Sequence, residues 1–205
     1  MKIIFRGAAL LIFFATCHFA GLVPDARCQE KPEKKFPTMA SSVNYIWKVL
    51  EDEFISAAEA MPEDKYSFVP KNGEFKGART FAEQVKHVAC ANFGFFSEFD
   101  GKTPPPDCEK GGGTFPARTK AELMKYLRDS FAYGDQMIDT LNEKNSLDPV
   151  KGRYAGPNTK LGISVTAVWH GADHYGQLVE YLRMNGIVPP ASRNVPPGAG
   201  SQTNK

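Results

Sequence analysis

The sequence predicts an all-α protein, a four-helix bundle. Three observations carry this: four segments have apolar residues recurring every three or four positions, their ends carry helix-boundary chemistry, and no segment shows the alternation of a half-buried strand. With 205 residues, 42% hydrophobic and 23% charged, the chain has the composition of a single domain with one ordinary core.

The first helix is expected from about Met39 to Ala60, with Val43, Ile46, Trp47, Leu50, Phe54 and Ala57 forming one apolar stripe and Pro62 ending it. The second opens at Thr80-Phe-Ala-Glu83 and runs to about Phe99. In that box the threonine hydroxyl and the glutamate carboxylate each take up a backbone N–H that the first turn leaves unpaired. The third opens in the same way at Thr119-Lys-Ala-Glu122 and carries Leu123, Tyr126, Leu127, Phe131, Met137, Ile138 and Leu141 toward the core. The fourth is expected from about Ser164 to Asn185, stopped by Gly186 and by Pro189-Pro190. Between the second and third helices, GKTPPPDCEKGGGTFPAR has turn-forming composition and is long enough to cross the end of a bundle. A second long connection spans about 146–163.

The N-terminus reads as an export signal. Lys2 and Arg6 precede an apolar run from Ala8 to Ala15, and His18, Pro24, Asp25 and Arg27 break the sequence well before the about 20 apolar residues a membrane span needs. Cleavage is expected after Cys28, with Ala26 and Cys28 as the small residues before the cut. Thr16 and Arg27 stand where a lipid-attachment motif would place a small residue, so no stable membrane anchor is expected. The resulting organisation is a signal peptide at 1–28, a linker at 29–37, the bundle at 38–190 and a disordered Pro/Gly-rich tail at 191–205. Cleavage removes Lys2, Arg6 and Arg27 against Asp25 and takes the formal charge from +2 to zero. A neutral chain with no basic cluster gives no electrostatic reason to bind nucleic acid.

Three histidines remain after cleavage. His170 and His174 lie one helical turn apart in WHGADHYGQ, so both imidazoles leave one face of the fourth helix and can reach one metal ion. That face continues through Ile163, Ala167, Leu178 and Tyr181 into the core. Buried imidazoles need partners, and one shared ion satisfies both. The alternative is a half-exposed pair with no ligand. His87, between Val88 and Ala91 on the second helix, is either a structural histidine or a third ligand. As a ligand it would complete a facial His₃ arrangement with positions open to water or substrate.

FAEQVKHVACANF, followed by HGADHYGQLVEYLRMNGIVPP, resembles the DinB-like (DinB/YfiT-like) family of metal-binding helical bundles, over roughly Met39 to Pro190. The resemblance implies a four-helix bundle with a long crossover between helices two and three. It also implies a metal triad of His87, His170 and His174. Several members resemble S-transferases that use cytosolic low-molecular-weight thiols, whereas this chain reads as exported.

Other candidates are Asp173, turned about 100° from His174 on the helix, and Tyr175 and Gln177 of the family signature. Cys90 and Cys108, the two cysteines left after cleavage, are expected to form a disulfide; Cys90, one turn from His87, could instead lean toward a metal. Two functions follow. One is a metal-dependent hydrolase or thiol transferase acting on a small molecule through a metal-activated water or thiol. The other is a non-catalytic, metal-stabilised, stress-associated bundle, favoured by the lack of an evident general base. Three neutral imidazoles suit zinc, nickel, iron or copper, with zinc and nickel the first expectation. A homodimer is left open.

Overall fold

The computed structural model describes residues 37–105, 108, 119–154, 156 and 158–193. The expected signal peptide, the linker up to residue 36 and the tail from residue 194 lie outside the described residues.

Four helices make the architecture: α1 (Met39–Ala60), α2 (Phe81–Phe99), α3 (Lys120–Ile138) and α4 (Lys160–Met184). All four open on a threonine whose hydroxyl accepts a backbone N–H of the first turn: Thr38, Thr80, Thr119 and Thr159. Both expected capping boxes are complete, with Glu83 and Glu122 reaching back to the backbone N–H groups of Thr80 and Thr119 at 2.7 and 3.2 Å. The fourth helix begins four residues earlier than expected. Its cap Thr159 has Gly162 at the third helical position, so no capping-box glutamate marks the start. Thr159 also belongs to a small antiparallel pair, β1 (Pro149–Val150) with β2 (Asn158–Thr159), in which two residues per strand are too few to show an alternating pattern.

Helix α1 packs against α3 and α4, and α2 packs against the same two. The connections from α1 to α2 and from α3 to α4 therefore pass across the bundle diagonal, whereas the long segment after α2 joins neighbouring helices. The core holds the expected stripes of α3 and α4, including Leu123, Leu127, Phe131, Ile138, Ile163, Ala167, Leu178 and Tyr181, and Leu141 is buried just past the end of α3. On α1 the buried face is rotated from the expected one. Ile46 points outward, 53% exposed, while Ile55 and Ala58 join Trp47, Leu50, Phe54 and Ala57 inside. At the other end Ala191 and Ser192, which the sequence places in the tail, form a 3-10 turn with Pro190. Among the described residues no helix is long and apolar enough to cross a membrane.

Close packing of α3 on the aromatic core gives a prediction with a sign that propensity alone would miss. A Cβ on Gly134 would lie 2.5 Å from Trp47 Cζ2 and 2.7 Å from Phe96 Cε2, whereas one on Gly176 of α4 meets nothing within 4 Å. Ala gains up to about 1 kcal/mol over Gly in a helix interior, and overpacking costs about 1–3 kcal/mol. Gly134→Ala is therefore expected to destabilise and Gly176→Ala to stabilise. Urea titration of the two variants checks this, and a stabilised Gly134→Ala would mean the ring packing is loose.

Candidate metal centre

His87 comes from the second turn of α2, downstream of the Thr80–Glu83 box that fixes where the helix begins. His170 and His174 come from the middle of α4, and the α2–α4 interface brings all three together. The Nε2 atoms of His87 and His170 lie 3.2 Å apart, and one ligating atom from each of the three histidines falls within 4.8 Å of the other two. Ring centroids are 5.1 Å apart for His87–His170, 4.7 Å for His87–His174 and 4.6 Å for His170–His174. His174 is 7% exposed, while His87 and His170 are partly exposed and give the cluster one open side. The edge of Phe95 packs on His170 at 5.5 Å and restrains that ring.

The donor set fits a divalent ion. Two nitrogens 3.2 Å apart, each about 2.0–2.1 Å from a common ion, subtend roughly 100°, an angle suited to tetrahedral or facial coordination. The Nδ1 atoms of His170 and His174 are buried without a hydrogen-bond partner, so the cluster carries unspent polar capacity.

Its electrostatics also favour the neutral, ligating form. Burial, reinforced by the charges of His174, His87 and Arg79, pushes His170 down to about 3 from the usual 6.5. Burial also lowers His174, with Asp173 acting to raise it and Arg79 to lower it. For the metal-free protein the sign follows directly. The unfolded chain takes up a proton near pH 6.5 that the folded His170 refuses until far lower, so stability is full above pH 6.5 and is lost as the pH falls from there toward 3. At pH 5.5 this one group is expected to cost about 1 kcal/mol relative to pH 7.5. Thermal unfolding of chelator-treated protein at the two pH values reads it, and His170→Asn should flatten the dependence.

Around the triad, Gln84 lies one turn before His87 and donates through Nε2 to Gln177 Oε1 at 2.6 Å; Gln177 in turn donates to Asp173 Oδ2 at 3.2 Å. Asp173 is thus engaged along the exposed side of α4 and is not one of the clustered groups. Tyr175 is partly buried against the core. Sequence reasoning missed Gln84 and Arg79. Gln84 left a signal as a polar residue on the buried face of α2, one turn before a histidine; Arg79 lies in a loop, where no periodicity marks it.

Cys90 and Cys108 are both thiols in this structure, 3% and 1% exposed. Their sulfurs lie 3.5 and 2.9 Å from the same Tyr126 hydroxyl, on α3, and Tyr154 donates its hydroxyl to the Cys108 carbonyl at 2.9 Å. The expected disulfide is not a bond here. Cys90 meets α3 and is not among the clustered metal-ligating groups.

The sequence profile of the DinB superfamily matches residues 47–178, a span that runs from the aromatic core of α1 through all three histidines. This chain belongs to the DinB superfamily. Solved structures share the fold. A conserved protein of Enterococcus faecalis superposes with a TM-score of 0.58 at 16% identity, over 72% of this chain and 96% of that one. An uncharacterised protein of Escherichia coli UTI89 gives 0.53 at 16% identity, over 74% and 96%. No curated protein matches the chain.

Proposed function

We propose that His87, His170 and His174 hold one divalent ion, zinc or nickel first, and that this DinB-superfamily bundle acts on a small molecule as an exported metal-dependent hydrolase or transferase. The observation that carries the reading is the 3.2 Å approach of two imidazole nitrogens from helices far apart in sequence, with a third ring closing the triangle. Two neutral rings at this distance share one proton in an N–H···N hydrogen bond, and an ion in that proton's place would engage both nitrogens and the third ring as well. A bound ion would supply Lewis-acid activation of a water or a thiol.

The chain's own residues do the rest. His174 anchors the cluster from the buried side, Phe95 holds the His170 ring in place, and the partly exposed rings of His87 and His170 leave room for a substrate. Elemental analysis of protein recovered from the exported fraction, purified without a histidine tag, tests the proposal. One equivalent of metal per chain is expected; protein that takes up none on incubation with zinc or nickel would end this reading.

The second reading is a metal-stabilised bundle without catalysis. One observation favours it: among the described residues the cluster is all histidine, and the neighbouring Asp173 is engaged by Gln177. A large rise in melting temperature on metal loading, with no turnover of ester or thiol substrates, would select it.

A further inference from the structure

Beside the triad, on the flank where α2 begins and α4 ends, lies a cavity of about 510 Å³ whose wall includes Phe75, Arg79, Gln84, Asp173, Gln177 and Tyr181. Two polar groups in this wall lack partners. The guanidinium of Arg79 makes no hydrogen bond or ion pair with any described residue, although Arg128 and Arg183 pair with Glu59 and Glu180. Gln84 is 3% exposed, and its Oε1 accepts nothing while its Nε2 is committed to Gln177.

The backbone at Arg79 and the side chain of Gln84 are held in place. The Tyr181 hydroxyl donates to the Arg79 carbonyl at 3.0 Å, fixing the loop against α4, and Gln84 is gripped between α2 and Gln177. The Arg79 guanidinium offers a planar fork of donors that matches a carboxylate. The cavity wall adjoins the triad through Gln84, one turn before His87 on α2, and through Asp173, next to His174 on α4.

We infer that this cavity is the substrate subsite of the proposed centre and takes a small carboxylate-bearing molecule, with the carboxylate on Arg79 and an N–H or O–H of the ligand donating to Gln84 Oε1. This rests on the function proposed above, because the same molecule would present its reacting end to the triad. A single negative charge is specified over a phosphate dianion. Asp173 and Glu180 line the same cavity, Asp173 held by Gln177 and Glu180 by Arg183, and their charges oppose a second one on the ligand.

The test measures binding by ligand-observed NMR on the full mature chain, both metal-stripped and zinc-loaded. The probes are N-acetylglycine, which carries a carboxylate and an amide N–H, together with acetate and inorganic phosphate. N-acetylglycine is expected to bind more tightly than acetate, and acetate more tightly than phosphate. Arg79→Gln should weaken N-acetylglycine about 10-fold or more, with Arg79→Lys in between, while zinc uptake and the melting temperature stay near those of the parent.

Equal affinity of the parent and Arg79→Gln for N-acetylglycine overturns the subsite, and tighter phosphate binding overturns the carboxylate assignment. Arg79-dependent binding by a protein that takes up no zinc would keep the subsite and sink the metal reading. Zinc uptake without Arg79-dependent binding does the reverse.

Discussion

Replacing His170 or His174 with alanine is expected to remove the metal from the protein. Each variant deletes one of three ligands. Loss even of a group that merely orients a ligand costs about 10–100-fold in affinity, so loss of a ligand should exceed that. Competition with a colorimetric chelator measures it, and retention of full stoichiometry in either variant would show that the triad is not the site. His87→Ala is the more telling of the three, because it lies on a different helix. If His170 and His174 bound an ion as an isolated pair, its loss would change little; in the arrangement seen, with His87 Nε2 3.2 Å from His170 Nε2, it should be as damaging as the others. The metal-free forms should remain folded, since the cluster's orphaned Nδ1 atoms contribute nothing to stability when no ion is bound.

The largest effect on folding is expected at Trp47. This residue is fully buried and joins three helices: its ring meets Phe96 of α2 at 5.2 Å and Phe131 of α3 at 4.8 Å, and its indole N–H reaches the Phe131 carbonyl at 3.4 Å. Alanine there removes the aromatic contacts and opens a cavity, a change worth about 3–5 kcal/mol. Against a total stability of about 5–15 kcal/mol, the melting temperature should fall by roughly 10–15 °C. Calorimetry reads this directly. A drop of only a degree or two would mean that α1 contributes little to the cooperative core.

Much of this architecture was legible because its signals are local. The two capping boxes place the starts of α2 and α3 within a few residues, and the four-residue step from His170 to His174 reads as a shared face before any tertiary contact is known. What escaped depends on neighbours that sequence does not name. Ile46 has the spacing of a core residue, yet it lies on the side of α1 that no helix covers. The start of α4 is hidden by Gly162, and the β1–β2 pair is shorter than any periodicity can reveal. His87 was open between a structural histidine and a third ligand until the family resemblance favoured the second, because a single histidine on a helix has no spacing to read. Arg79 reaches the neighbouring cavity from a loop that Tyr181 pins, a contact between positions 102 residues apart. Nor does the sequence say that α2 and α3 are neighbours while α1 and α2 face each other diagonally.

The convergence of Cys90 and Cys108 on the Tyr126 hydroxyl equips the protein with its own clock for local opening. Both sulfurs are shielded, so an alkylating reagent can reach them only in moments when α2, α3 and the segment carrying Cys108 part company. With reclosing faster than labelling, the modification rate divided by that of a small model thiol gives the opening equilibrium of this corner without any introduced probe. Whether metal binding across the α2–α4 interface tightens the opposite α2–α3 seam then becomes a measurable rate ratio.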